Sequence, residues 1–409
     1  MSSGYDVIVI GARVGGSPTA MLLARKGYRV LLVDKATFPS DTISTHMIHP
    51  PGVAALKRWG LLDQVEATGC PPVTKYSFDF GPITISGSPR AVDGVTDGFA
   101  PRRVVLDDLL VRAAVAAGAE LREGFTVEEV LFEDDVVTGI RGHAKGGETV
   151  TERARVVIGA DGKHSLVAKA VNAEHYNEVP QLQTGYYAYW SGLPVAGFET
   201  FIRPEHGRGF AALPTNDDLT CVVGGWPYAQ FDANRKDYEG NYLKMLDLVP
   251  EFAERLRGAT RETRLSAVGD LRGFFRKPFG PGWALVGDAG YHKDPITAFG
   301  ITDAFRDAEA ASAAIDDAFA GRQSYDDAMA GWQQARDEQS LPVYGFTCDF
   351  AKIEPPPPEM QQLLGAVSQS SDAMDDFVSV MAGTLAAPEF FAPDNVGRIM
   401  GGASAAAAV

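Results

Sequence analysis

Three glycine-bearing segments stand in a fixed order along the chain: Gly11-Ala-Arg-Val-Gly-Gly16 near the start, Gly159-Ala-Asp-Gly162 in the middle and Gly287-Asp-Ala-Gly290 late. Glycine lets a backbone approach a phosphate closely. A helix that opens at the same place adds unpaired N–H groups and the positive end of its dipole. Each segment follows an apolar run that reads as a buried strand. A carboxylate, Asp34, ends the strand after the first turn, where it can accept hydrogen bonds from a ribose diol. Segments this far apart are needed together only if distant strand ends gather around one large anionic ligand. The ligand implied is FAD.

The elements that must position these residues read as follows. Residues 5–10 form a strand, 18–26 a helix closed by Gly27, and 29–34 a second strand, the size of one mononucleotide-binding crossover. In the pattern G-x-G-x-x-G, Gly11 and Gly16 are in place and Gly15 adds another, but Arg13 holds the middle position. Arg13 either swings away from the phosphates or adds a cation to them. Residues 53–65 are amphipathic, with Val53, Leu56, Trp59 and Leu62 at helical spacing, and 106–117 form a further helix before Gly118. Residues 120–142 alternate as a hairpin or meander, and 155–159 form a buried strand. From 181 to 271 the texture changes to aromatic-rich strands of an antiparallel sheet, interrupted by a helix over 241–256. Residues 283–287 return to the first sheet, and 301–319 and 325–339 are long helices. A polyproline break at 355–358 precedes a helical cap, and the alanine-rich tail over 401–409 reads as frayed.

The fold expected is α/β with α+β mixing: a Rossmann-like FAD-binding domain with an inserted antiparallel-sheet substrate domain and C-terminal helices. Residues 1–75, 101–180 and 273–340 make the FAD-binding parts, 76–100 supply substrate-domain strands, 181–272 the substrate domain, and 341–409 the C-terminal helical region and tail. With 409 residues, 45% of them hydrophobic, the chain suffices for two or three packed layers. A net charge of −16 disfavours nucleic acid and anionic membrane as partners. Cys70, Cys221 and Cys348 are scattered, which speaks against a disulfide framework and for a reducing cytoplasm. No signal peptide and no run long enough to span a membrane is expected.

Taken together, the motifs resemble the FAD-dependent monooxygenases of the p-hydroxybenzoate hydroxylase type, a superfamily shared with geranylgeranyl reductases and flavin halogenases, over most of residues 5–340. That resemblance implies roles. Asp161, in Gly159-Ala-Asp-Gly-Lys-His-Ser165, looks like part of the segment that helps hold FAD and in many members serves NADH or NADPH. The arginine usual three residues after the serine is Ala168 here, with Lys169 beside it. Gly287 and Asp288 resemble the pair whose aspartate bonds the ribityl chain. Pro295 corresponds to the proline near the reactive edge of the isoalloxazine. Gly300 and Ile301 open a helix whose N-terminus faces the pyrimidine end. Arg103, shortly before Asp107, resembles the arginine that contacts the FAD phosphates, and Lys35 joins Asp34 in the cofactor set. The family often has histidine where Tyr291 stands; His292 follows it.

The activity implied is oxygenation of a small, largely apolar, aromatic substrate by O2 through a flavin C4a-hydroperoxide, with electrons from NADH or NADPH or from a separate flavin reductase. The cofactor carries the hard chemistry, so few catalytic side chains are required. The candidates are His46 and His49 on the loop 40–51, His292, Pro295 and Tyr187. Substrate contacts are expected from Tyr187, Tyr189, Phe210, Pro214 and Trp226, although alternation lets only every second strand residue face a pocket. Two histidines without a third ligand make no metal site. Two alternatives stand beside this reading. One is an FAD-dependent reductase or dehydrogenase of the geranylgeranyl-reductase type, whose Tyr-x-Trp-x-Phe-Pro signature is echoed only distantly by Gly209-Phe-Ala-Ala-Leu-Pro214. The other is a non-catalytic carrier on the same fold, like the Rab GDP-dissociation inhibitors. The oligomeric state stays open at this point.

Overall fold

Strands Tyr5–Ile10, Val30–Val33, Thr149–Gly159 and Trp283–Leu285 run parallel in the computed structural model, which describes residues 4–406. Glu120–Arg122 extends this sheet on one side and Phe279–Gly280 on the other. A parallel sheet is covered on both faces, so its strands must be apolar throughout. Val7 and Val9 accordingly pack into one buried cluster, and Ile8 and Ile10 into another. The register sets Val9 against Ile158 and Ile158 against Ala284. The three glycine segments therefore leave the sheet side by side at its carboxyl edge. Tyr5–Ile10 lies between Val30–Val33 and Thr149–Gly159, the place where the winding reverses and such sheets bind ligands.

The helix after the first strand, Gly16–Arg25, starts two residues before the sequence expectation, with Gly15 as its N-cap. It packs with Gly300–Phe319 over the sheet: Ala20, Met21 and Leu23 share a core with Phe305 and Ile315. Several elements differ from the expectation for local reasons. The segment 53–65 is two helices, Pro50–Arg58 and Leu62–Glu66, separated at Gly60 with φ 71°. The segment 241–256 is also two, Tyr238–Leu246 and Pro250–Leu256, because a proline suits the first turn and not the interior. Within 120–142, Glu120–Arg122 joins the parallel sheet. The hairpin itself is Phe125–Glu133 with Val136–Ala144, turned on Asp134 and Asp135 at φ 47° and 63°. Tyr325–Phe350 runs well past 339 with Pro342 inside it, its far half held by buried Tyr344 and Thr347. The tail expected to fray is helical to its last described residue, in Pro393–Ala406; residues 407–409 lie outside the described residues.

The second sheet pairs Gln183–Ser191, Leu219–Pro227, Arg208–Pro214 and Phe198–Arg203 antiparallel, and Tyr76–Asp79 with Thr84–Gly87 extend it. Alternation divides its aromatics. Tyr186, Trp190, Phe201, Phe210 and Trp226 pack beneath Tyr242 and Phe252 of the helices Tyr238–Leu246 and Pro250–Leu256. Tyr187, Tyr189, Phe198 and Leu213 belong to the other face, which the helices Pro358–Val367 and Ser371–Met381 help to close. Cys70, Cys221 and Cys348 are free thiols. Among the described residues no helix is long and apolar enough to cross a membrane.

Phe305 joins the layers: it is fully buried, with its ring centroid 5.1 Å from that of Trp59. Phe305→Ala should cost about 3–5 kcal/mol, read as a lower denaturant midpoint at unchanged slope. A midpoint equal to that of the unaltered protein would contradict this packing.

Candidate cofactor crevice and adjoining cavity

The first turn is defined by the room it lacks. Gly11 has φ 102°, and a Cβ there would overlap the carbonyl oxygen of Ala160; a Cβ at Gly16 would overlap that of Gly11. Gly15 is less constrained, since its Cβ would sit 3.8 Å from Val286. A Cβ on Gly287 would lie 4.0 Å from the Gly15 Cα, so the first and late segments also meet. The three segments thus form one continuous backbone floor at the sheet's edge.

Asp34 pins this floor: Ala12 N–H donates to its Oδ2 at 2.7 Å and Ala36 N–H to its Oδ1 at 2.8 Å. Each oxygen keeps a lone pair for a further donor such as a ribose hydroxyl. Lys35 beside it is exposed. Arg13 and Arg103 converge on one buried carboxylate. Arg13 donates to Asp107 Oδ2 at 2.6 Å, while Arg103 donates to Asp107 Oδ1 at 2.9 Å and Oδ2 at 3.0 Å. Two cations on one anion leave a net positive charge at the crevice of an acidic protein. Asp161 accepts Leu166 N–H on Oδ2 at 2.6 Å, but its Oδ1 is buried without a partner, and burial pushes its pKa up. Gly287 N–H donates at 2.8 Å to Asp307, a buried carboxyl that also accepts from Trp332 Nε1 at 3.1 Å and whose pKa burial pushes up to about 6. Asp288 is exposed beside that turn. A floor that admits no Cβ at Gly11 or Gly16, a net positive pair of guanidiniums and an unpartnered carboxyl oxygen fit an anionic dinucleotide such as FAD.

The histidines of the early loop take different parts. His49 is fully engaged: its Nε2–H donates to the Thr297 carbonyl at 3.1 Å and its Nδ1 accepts the Tyr76 hydroxyl at 3.3 Å. Burial pushes its pKa down to about 4, so the ring is neutral. Its own N–H donates to Thr302 Oγ1 at 3.0 Å. His49 therefore ties the early loop to the segment that carries Pro295. His46 has φ 63° and a buried ring stacked on Tyr189 at 5.6 Å, with its Nε2 2.6 Å from the Tyr189 hydroxyl. Burial, with the charges of Arg103 and Arg102, pushes its pKa down to about 3, and its Nδ1 has no partner. Tyr187 meets the same ring edge-on at 5.8 Å. His292 stands apart from both, its Nδ1–H donating to the Arg272 carbonyl at 2.7 Å. Lys293, next to it, is buried in an ion pair with Asp303, which Arg306 also contacts at 2.9 Å. These bonds fix the first turn of Gly300–Phe319, where Gly300 opens the helix and Ile301 is buried. Among the described residues no group of three or more His, Cys, Asp or Glu could hold a metal ion.

A cavity of about 80 Å³ lies between the second sheet and the turn Pro295–Thr297. Pro295 lines it, and of the expected substrate contacts only Phe210 borders it among the described residues, its ring turned to the opposite face onto Phe201 and Phe252 at 4.7 and 4.9 Å. Tyr187 and Tyr189 share the cavity's sheet face but are turned onto His46. Trp226 stands on the opposite face, stacked on Tyr186 at 4.6 Å, and Pro214 is also absent from the wall. Neither lines this cavity: alternation alone does not say which parity faces in, and the register puts Ala211, Leu213 and Val223 there. The sequence reading missed Asp107 and Asp307 as clamps. It also missed Asp294, a wall residue 5% exposed whose pKa burial pushes up to about 7. Its signal was a carboxylate directly before Pro295.

Comparison with known proteins agrees with this geometry. A family model described as FAD binding domain matches residues 4–326. The chain is 28% identical over 323 residues to digeranylgeranylglycerophospholipid reductase of Methanocella arvoryzae, covering 77% of this chain and 78% of the relative. It is 26% identical over 313 residues to 6-methylpretetramide 4-monooxygenase of Streptomyces rimosus, covering 75% and 74%. Among solved structures, the myxobacterial chondrochloren halogenase CndH aligns over 98% of this chain and 97% of its own, with a TM-score of 0.80 at 24% identity, a likeness of fold.

Gly11→Ala should abolish flavin uptake, because the methyl group displaces either Gly11 or Ala160. Flavin absorbance per chain after purification and dialysis against FAD checks this, and full occupancy would contradict it. Asp294 gives a pH signature. Its carboxyl is raised from 3.8 to about 7 on folding, so the folded protein keeps a proton that the unfolded chain has lost. This costs stability increasingly as pH rises through that window. Asp294→Asn should therefore be more stable than the unaltered protein at about pH 8, by on the order of 2–4 kcal/mol, with the margin vanishing near about pH 4. Unfolding at both pH values measures it; an equal margin at both would contradict the burial of this group.

Proposed function

The chain belongs to the FAD binding domain family and is an FAD-dependent oxidoreductase, and on that premise we propose that it is a monooxygenase of a small, largely apolar, aromatic molecule. One observation carries the reading. The turn from Asp294 to Ala298 walls the apolar cavity and runs directly into Gly300, where the following helix opens. A molecule in the cavity is thus held against the part of the fold that the motifs assign to the reactive end of the cofactor. Reduced FAD, when bound, supplies the activation of O2.

The chain's own residues do the rest. Leu213, Val223 and Ile353 surround the substrate and exclude water, which suppresses unproductive side reactions. His49 fixes this turn through the Thr297 carbonyl, so Pro295 cannot drift. The Lys293–Asp303–Arg306 cluster holds the helix start that follows. Electrons come from NADH or NADPH, directly or through a separate flavin reductase. Ala168 is buried and offers no cation, but it borders a groove that carries Lys163, Lys169, Arg272 and Arg276, charges suited to an anionic donor. An alkene reductase on the same cofactor is the second reading, favoured by the likeness to the archaeal reductase.

The FAD-loaded protein, given NADH or NADPH, candidate phenols and isotopically labelled O2, should place the label in the organic product. Flavin that is reduced and reoxidised with every product unlabelled would overturn the proposal, and turnover without oxygen consumption would select the reductase reading.

A further inference from the structure

Two residues of the cavity wall, Asp294 and Thr200, each carry a buried polar atom that the fold leaves without a partner, Oδ2 and Oγ1. Asp294 is 5% exposed, and its other oxygen already accepts Ile296 N–H at 3.0 Å. Thr200 is 7% exposed on the strand Phe198–Arg203. The nearby amide and hydroxyl of the wall are spent, Gln183 Nε2 on the Ala351 carbonyl at 2.6 Å and Thr184 Oγ1 on the Trp226 carbonyl at 3.1 Å. Buried polar groups are seldom left unpaired, and a pair of them on one apolar wall marks where a ligand completes the bonding.

Charge narrows the class. Among the described residues no lysine, arginine or histidine lines the cavity. Lys293, adjacent in sequence, is committed to Asp303, and burial pushes the Cys348 thiol up. An anionic ligand would meet a carboxyl with no compensating cation, so it is refused. An apolar molecule without a donor would leave Asp294 unsatisfied. We propose that the cavity takes an uncharged, largely apolar molecule whose hydroxyl or N–H group donates to Asp294 Oδ2 and whose second polar substituent bonds Thr200 Oγ1. This rests on the reading of the cavity as the substrate site.

The test is a binding titration of the FAD-loaded protein at about pH 8, above the carboxyl's midpoint, with naphthol, its methyl ether, naphthoate and dihydroxynaphthalene. Naphthol should bind about tenfold or more tightly than the ether, the gain expected of a hydrogen bond to a charged acceptor, and naphthoate more weakly than either. Asp294→Asn keeps the bond to Ile296 and turns an N–H2 toward the cavity, so the ether should overtake naphthol, a reversal that a purely structural role would not give. Thr200→Val should weaken dihydroxynaphthalene several-fold while leaving naphthol unchanged. Equal affinity for naphthol, ether and naphthoate, or the same ranking in Asp294→Asn, would overturn the proposal. If that variant fails to take up FAD, the ranking in the unaltered protein and the Thr200→Val result decide it. The ranking without labelled-oxygen transfer removes the oxygenation reading and keeps this one; transfer without the ranking removes this one.

Discussion

The structure depends on a contact that leaves no room for a methyl group. Where Gly11 passes the Ala160 carbonyl and Gly16 passes the Gly11 carbonyl, backbone meets backbone. That closeness is possible only if the two strands lie side by side and in register, and Val9 against Ile158 supplies the register. Gly287 reaches the same floor because its strand is the next neighbour, with Ile158 against Ala284. The parallel order, the burial of Val7 to Ile10 on both faces and the early start of the helix at Gly16 all serve this junction. What it provides is a set of N–H groups and a helix terminus with no side chain in the way.

A second theme is the use of buried carboxylates as clamps. Asp107 holds two arginines, Asp303 holds Lys293 and Arg306, and Asp307 holds the Gly287 turn with Trp332. Each is nearly or fully buried, and each has partners, as burial of charge demands. The chain is strongly acidic overall, yet at the crevice the balance of Arg13, Arg103 and Asp107 is positive. Asp294 departs from this pattern: it is buried like the others and belongs to the cavity wall, but one of its oxygens has nothing to bond. The contrast separates carboxylates that hold the fold from one that awaits a ligand.

The crevice was legible in the sequence because its signals are local. A β-branched run, a glycine turn, a helix and an acid at the next strand end sit within one short stretch, and Asp34 does bond the turn that precedes it. The cavity was not legible, because its wall is decided by register across four strands. Tyr187, Tyr189, Phe210, Pro214 and Trp226 look alike as strand aromatics or neighbours of them. The pairing of Gly209 with Gly225 and of Tyr187 with Val223 decides which of them face the cavity. His46 and His49, three residues apart, looked equivalent in sequence. Folded, one is a satisfied tie between two loops and the other keeps an unpartnered nitrogen, a difference set by Tyr76 and Thr297 from distant parts of the chain. Helix breaks at Gly60 and Pro250 followed rules that the hydrophobic spacing alone had hidden.

The central claim is that three separated segments make one cradle for one FAD. Amide hydrogen exchange of the deflavinated protein, with and without added FAD, tests it most directly. The account predicts that residues 11–16, 159–166 and 287–301 gain protection together and at the same FAD concentration. Protection confined to one segment, or none in any of them, would contradict it.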